Sequence, residues 1–212
     1  MSSRETVLGR IRSALAADTT PPPPIPRDYI RVGDHPPGSP PVLELMIDRL
    51  VDYKAHVREI SPDQLADAID TALTDQRSVV LAPDLDPAIA AAAARSGRTL
   101  TTDGTPTVLT PNELDRIDAV VTTATVAIAL SGTITLDGGP GQGRRAITLV
   151  PDFHLVVLHA EQIVHTVPEA IARLDPVRPL TMIAGPSATS DIELERVEGV
   201  HGPRTLSVLI VR

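Results

Sequence analysis

Ser78-Val79-Val80-Leu81-Ala82 leads through Pro83-Asp84-Leu85 into Asp86-Pro87-Ala88-Ile89 and a run of alanines. An apolar run without polar alternation reads as a strand buried on both faces. The alanine-rich run 86–95 reads as a helix. A buried strand followed at once by a helix is the building unit of a largely parallel sheet with helices on both sides.

The same grammar recurs outward from this unit. Residues 43–55 carry Leu43, Leu45, Met46, Leu50 and Val51 at helical spacing, and a short strand follows. Ser61-Pro62-Asp63-Gln64 then supplies a serine cap and a first-turn proline for a helix to about Leu73. Leu155-Val156-Val157-Leu158, Leu180 to Ala184 and residues 205–211 read as strands, and Pro168 to Leu174 as a helix. Ala119-Val120-Val121, Val126-Ala127-Ile128-Ala129 and Thr133-Ile134-Thr135-Leu136 are three short strands in succession, expected as a β-meander inserted in the middle. The expected architecture is α/β, open and doubly wound, with a largely parallel sheet.

Two regions precede this domain, which is expected to occupy residues 43–212. Within residues 1–17, Val7, Leu8, Ile11 and Leu15 form the apolar stripe of an amphipathic helix. A helix this short is marginal in water, so the stripe should dock, either on its own domain or on a partner. Residues 18–42 hold Pro21 to Pro24, Pro26, Pro36, Pro37, Pro40 and Pro41, and read as a semi-rigid extended linker.

Composition narrows the chemistry. The 212 residues suffice for one well-buried domain with appendages. Aromatics are 1%, so the core is aliphatic, and base-stacking platforms are scarce. A net charge of -8 also argues against a phosphate-backbone partner, so no nucleic acid is expected. The absence of cysteine excludes disulfides, a thiol nucleophile and a Cys-ligated cluster carried by the chain itself. Lys54 is the sole lysine and lies in no phosphate-binding loop motif. No run approaches the roughly 18 apolar residues of a membrane span, and Met1-Ser2-Ser3-Arg4-Glu5 opens no signal sequence. A soluble cytoplasmic protein is the expectation, with neither a metal site nor a bound cofactor.

Four clusters carry candidate chemistry. The turn Ala129-Leu130-Ser131-Gly132-Thr133 joins two strand runs, either as an ordinary hairpin or as a ligand turn at a strand end. Asp137-Gly138-Gly139-Pro140-Gly141-Gln142-Gly143-Arg144-Arg145 is either a solvated loop or an anion cradle of backbone N–H groups and guanidinium forks. Pro151-Asp152-Phe153-His154 reads as a hydrogen-bonded structural pair or as a site fragment. Gly185-Pro186-Ser187-Ala188-Thr189-Ser190-Asp191-Ile192-Glu193 and Gly199-Val200-His201-Gly202-Pro203 gather hydroxyls, carboxylates and an imidazole on special backbone.

Taken in order, these motifs resemble the lactate utilization protein C family, the LUD domain, across residues 43–212. The resemblance implies a fold of the NagB/RpiA/CoA-transferase-like type. It also implies a part in oxidising L-lactate to pyruvate beside two iron–sulfur partner proteins, which suits a chain without cysteine. Members often carry an acid where this chain has Leu130, and threonine where it has Ser131. Leu130 cannot attack an acyl group, so the nucleophile of related CoA-transferases is missing at that turn.

The expected function is therefore an accessory or small-anion-binding subunit of a lactate-oxidising system. The alternative is a stand-alone enzyme acting on a phosphorylated or CoA-linked metabolite. In either case Asp191 and His201 are the candidate acid–base pair. Ser131, Gly132, Thr133, Arg144, Arg145, Ser187 and Thr189 are the candidate ligand contacts, expected to converge on one cleft beyond the carboxyl ends of strands.

Overall fold

The structure is a computed structural model that describes residues 2–16, 23–104, 106–186, 188–190, 196–198 and 202–212, with backbone alone for 188–190 and 196–198. In chain order its elements are α1 (Ser3–Leu15), α2 (Pro40–Asp52), β1 (His56–Ile60), α3 (Leu65–Ala72), β2 (Ser78–Leu81), α4 (Pro87–Ala93), β3 (Thr99–Thr102), α5 (Pro111–Leu114), β4 (Ala119–Thr123), β5 (Val126–Ile128), β6 (Thr133–Leu136), β7 (Phe153–His159), β8 (Ile163–Val164), α6 (Val167–Ile171), β9 (Thr181–Ile183), β10 (Ala188–Ser190), β11 (Arg196–Glu198) and β12 (Thr205–Val211). Among the described residues, no helix is long and apolar enough to cross a membrane.

The core is a six-stranded sheet in the order β1-β12-β7-β4-β2-β3. Every neighbouring pair in it is parallel. Strand alternation divides its side chains between two apolar layers. Val79, Leu81, Ala119, Val121, Leu155, Val157, Leu209 and Val211 pack on one face against α3 and α4. Val156, Leu158, Leu206, Val208 and Ile210 pack on the other against α2 and a second sheet. Continuous runs such as Leu155–Leu158 are what a sheet covered on both sides requires.

The inserted β layer is this second sheet, in the order β8-β5-β6-β9. Of the three strand runs at 119–136, the first joins the large sheet as β4, while β5 and β6 form an antiparallel hairpin in the small one. A further antiparallel pair, β10 with β11, follows Pro186.

Helix starts follow the local chemistry. Ser61 and Gln64 form a capping box ahead of α3. α2 begins at Pro40, with Ser39 as N-cap and prolines in its first turn, and buries Val42, Leu43, Met46 and Leu50. The chain already touches the domain before α2. Asp34 N–H donates to His165 Nδ1 at 3.2 Å, and Gly38 N–H donates to the Ile163 carbonyl at 3.0 Å.

Candidate functional site

The row Val80, Val120, His154, Leu206 crosses the sheet on the α2 side in direct register. Three members are aliphatic and the fourth is an imidazole only 1% exposed. His154 Nε2 lies 2.8 Å from the hydroxyl of Thr122, two residues further along β4. Burial without a charged partner pushes the His154 pKa down to about 3, so the ring is neutral in ordinary buffers. The sequence pairing of Asp152 with His154 is replaced: Thr122 holds the histidine, and Asp152 faces Arg204 at 3.6 Å near the surface.

His154 lies in the wall of a cleft of about 310 Å³ at the amino ends of β7 and β12. Arg145 and Thr148 line one side, from the 3₁₀ turn Arg145–Thr148. The strand β9 and the turn Gly185-Pro186 line another, and Gly202-Pro203 with Leu206 complete the wall. Gly185 takes φ 80°, and a Cβ there would stand 2.6 Å from Tyr53 Cβ, so only glycine fits this turn without displacement. A second recess of about 360 Å³ adjoins the first at Arg145, Thr148 and Thr181 and extends to the glycine-rich loop.

The two adjacent arginines have opposite fates. Arg144 Nε donates to Asp103 Oδ2 at 2.6 Å and its Nη2 to Asp103 Oδ1 at 2.9 Å, a bidentate pair, with a further bond to the Leu109 carbonyl. Burial pushes the Asp103 pKa up. The Arg144 fork, the Leu109 N–H and the Arg144 charge outweigh it, holding the carboxyl below its ordinary range. Arg145 is exposed, and its guanidinium makes no hydrogen bond or ion pair with another described residue, while its carbonyl accepts from the Thr148 hydroxyl at 3.0 Å. It is the cation available to a ligand in the cleft.

Most N–H groups in the first half of the glycine-rich loop already have protein acceptors. Gln142 Oε1 accepts from Asp137 N–H at 2.7 Å and Gly138 N–H at 3.1 Å. Gly139 N–H donates to Asp137 Oδ1 at 2.9 Å, and Gly141 N–H to Asp84 Oδ1 at 3.1 Å. Arg178 closes the knot on Asp137 Oδ2 at 2.8 Å. Desolvation raises the Asp137 pKa, but Thr125, Arg178 and the Gly139 N–H together bring it below the ordinary value. In the recess at the carboxyl ends of β4 and β7, lined by Thr123, Asp137, His159 and Arg178, Asp137 is held by Thr125 and Arg178, and the Thr123 hydroxyl donates to the Pro140 carbonyl.

A family model of the LUD domain matches residues 43–211. The chain belongs to the LUD domain family. A protein named Lactate utilization protein C from Deinococcus radiodurans is 42% identical over 210 residues, spanning 97% of this chain and 92% of that protein. Lactate utilization protein C from Shouchella clausii is 31% identical over 104 residues, 44% of each chain. Among solved structures, a DUF162 family protein from Deinococcus radiodurans superimposes with a TM-score of 0.68 at 37% identity, covering 81% of this chain and 97% of that one.

In this LUD domain the residues singled out in sequence divide into four groups. Arg145 lines the cleft together with Gly185-Pro186 and Gly202-Pro203, the turns that bracket the polar C-terminal cluster. Ser131, Gly132 and Thr133 are not in its wall. Gly132 takes φ 61° against Arg49 of α2, and the Ser131 and Thr133 hydroxyls bond each other at 2.9 Å. Thr133 stands one residue before Ile134, which pairs with Ile183 of β9, so the turn borders the cleft's outer strand. Arg144 reaches only the adjoining recess. Ser187, Asp191 and His201 lie outside the described residues, as does the side chain of Thr189. His154 was singled out in sequence only as a structural pair or a site fragment, and Thr148 and the edge strand β9 are cleft residues that sequence reasoning did not assign. The one available signal was a histidine interrupting an aliphatic strand.

Among the described residues, no cluster of three or more histidine or acidic side chains is placed to hold a metal. What the cleft offers is a positive rim at Arg145, a neutral imidazole, and apolar flanks from Leu149, Ile183 and Leu206. That set suits a small anion with an apolar portion.

Proposed function

We propose that this chain is the small-anion-binding subunit of an L-lactate utilisation system in the cytoplasm, working beside two iron–sulfur proteins. The observation that carries the reading is the 42% identity, over 97% of the chain, to a protein named Lactate utilization protein C. The cleft supports it chemically. An exposed guanidinium forms bidentate bonds to a carboxylate, and an uncharged imidazole receives a hydroxyl without a competing charge.

Oxidation of L-lactate to pyruvate releases two electrons and two protons. A chain without cysteine has no thiolate ligands for an iron–sulfur cluster, so the electrons pass to the partners. In this proposal Arg145 grips the carboxylate and His154 orients the hydroxyl. Asp191 and His201 are the acid–base groups, and Ser187 and Thr189 supply hydroxyl donors. Ser131, Gly132 and Thr133 support the outer strand, and Arg144 holds the segment from which Arg145 projects.

The test is reconstitution. The chain should co-purify with the two iron–sulfur proteins, and lactate-dependent dye reduction should fall at least tenfold when it is omitted. Full dye reduction by the two partners alone contradicts the proposal. The adjoining recess favours a second reading, because a cleft of about 310 Å³ joined to one of about 360 Å³ accommodates ligands well beyond a hydroxy acid. A stand-alone enzyme on a phosphorylated or CoA-linked metabolite predicts saturable binding of such compounds and none of lactate.

A further inference from the structure

Helix α1 is built to dock but is not docked. Its Ser2–Glu5 capping box fixes the first turn, with Ser2 N–H on Glu5 Oε2 at 2.7 Å. Val7, Ile11 and Leu15, four residues apart, form one apolar stripe, yet they are 55%, 48% and 62% exposed. No residue of the helix is buried. Its three arginines against one glutamate give a local charge of +2 in a chain whose net charge is -8. A 13-residue helix with so much apolar surface in water gains stability only when another surface covers it.

The domain carries a matching surface. Leu130, Val167 and Ile171 are 53%, 45% and 51% exposed. Leu130 N–H donates to the His165 carbonyl at 3.1 Å, which sets the turn beside the start of α6. Val167 and Ile171 follow on one face of α6 at four-residue spacing. The turn also packs on α2, whose exposed Glu44, Asp48 and Asp52 recur every fourth residue as an acidic stripe. Arg49 lies against Gly132 of the turn and pairs with Asp48 at 3.5 Å, so with Glu44 and Asp52 the exposed acids of α2 outnumber its one nearby cation, which suits the +2 charge of α1.

The tether starts at this patch. Asp34 bonds His165, and the His35 and His165 rings lie 5.5 Å apart, centroid to centroid. The 17 residues from Ala16 to Val32 span at most about 60 Å when extended, enough to cross a subunit interface.

We propose that α1 docks on the Leu130–Val167–Ile171 patch of a second copy of this chain, in a reciprocal exchange that forms a two-fold dimer. Within one chain the stripe and the patch both face solvent, so neither covers the other. Two copies related by a two-fold axis cover both stripes and both patches with identical contacts. The dimer is a property of the arm and the patch and does not depend on which anion the cleft binds.

Sedimentation equilibrium of the full chain should give twice the chain mass. Ile11→Asp and Leu130→Asp, both at exposed positions, should each give the monomer mass with an unchanged thermal midpoint. The chain lacks cysteine, so a mixture of Ile11→Cys and Leu130→Cys chains treated with a short bis-maleimide should yield a covalent heterodimer. A monomeric wild-type chain overturns the proposal, whether α1 is free, folded back or reserved for a different protein. A dimer that survives either aspartate substitution, or a dimer without the cross-link, overturns it as well.

Discussion

Acidification from pH 7 to pH 5 is expected to cost the folded chain about 2 kcal/mol through His154 alone. The sign follows from the direction of the shift. Burial lowers the folded pKa to about 3, whereas an unfolded histidine titrates near 6.5. Between those values the unfolded chain binds a proton that the folded chain refuses, so stability is complete above pH 6.5 and falls as pH drops toward 3. The carboxylates behave differently in this window. Asp103, Asp118 and Asp137 have lowered folded pKa values, so their contribution is retained above the ordinary carboxylate range and is lost only below it. The interval from pH 5 to pH 7 therefore separates His154 from these carboxylates, and comparison with His154→Gln reads its share. Urea midpoints for the wild type should fall across it, while those of His154→Gln should be nearly flat. Parallel pH profiles for the two proteins would show that the imidazole is not held neutral in the folded cleft wall.

Asp103→Ala should be the most damaging single change in the loop framework, costing about 3 kcal/mol. The Asp103 side chain is 0% exposed, and it receives both arms of Arg144 and the Leu109 N–H. Its removal strips three bonds and leaves the Leu109 N–H without its acceptor. The cost stays near the lower end for a broken buried pair because the Arg144 side chain is 37% exposed and can rehydrate. Urea unfolding should show a lower midpoint with an unchanged slope. A shift below about 0.5 kcal/mol would mean that the pair is only a surface contact.

The sheet was legible where physics writes it redundantly. β2, β7 and β12 are apolar runs because both faces of the sheet are covered, and no helix of that length would bury every side. β3 was missed because Thr99-Leu100-Thr101-Thr102 lies on the sheet edge, half exposed, with no clear alternation. β8 is two residues long and carries no periodic signal. α2 begins three residues earlier than its apolar spacing suggested, since Pro40 and Pro41 open the helix instead of ending the linker.

The cleft was legible only in part. Special backbone at Gly185-Pro186 and Gly202-Pro203 marks the turns in its wall. Sequence could not separate Arg144 from Arg145, because the difference lies in Asp103, 41 residues away in the chain. Nor could it show that Gln142, Asp137 and Asp84 take the N–H groups of Asp137, Gly138, Gly139 and Gly141 in the loop read as a possible anion cradle. The cleft lined by Arg145 lies at the amino ends of β7 and β12, with the edge strand β9 in its wall, while a separate recess lies at the carboxyl ends of β4 and β7.

The central claim is that an anion binds at Arg145, and calorimetric titration tests it most directly. L-Lactate and pyruvate should be titrated into the full chain and into Arg145→Gln. Saturable binding to the wild type should weaken by about 10- to 100-fold in the variant, the loss of one charge-assisted bidentate contact. Equal affinity in the two proteins, or no binding of either acid to the wild type, would contradict the account.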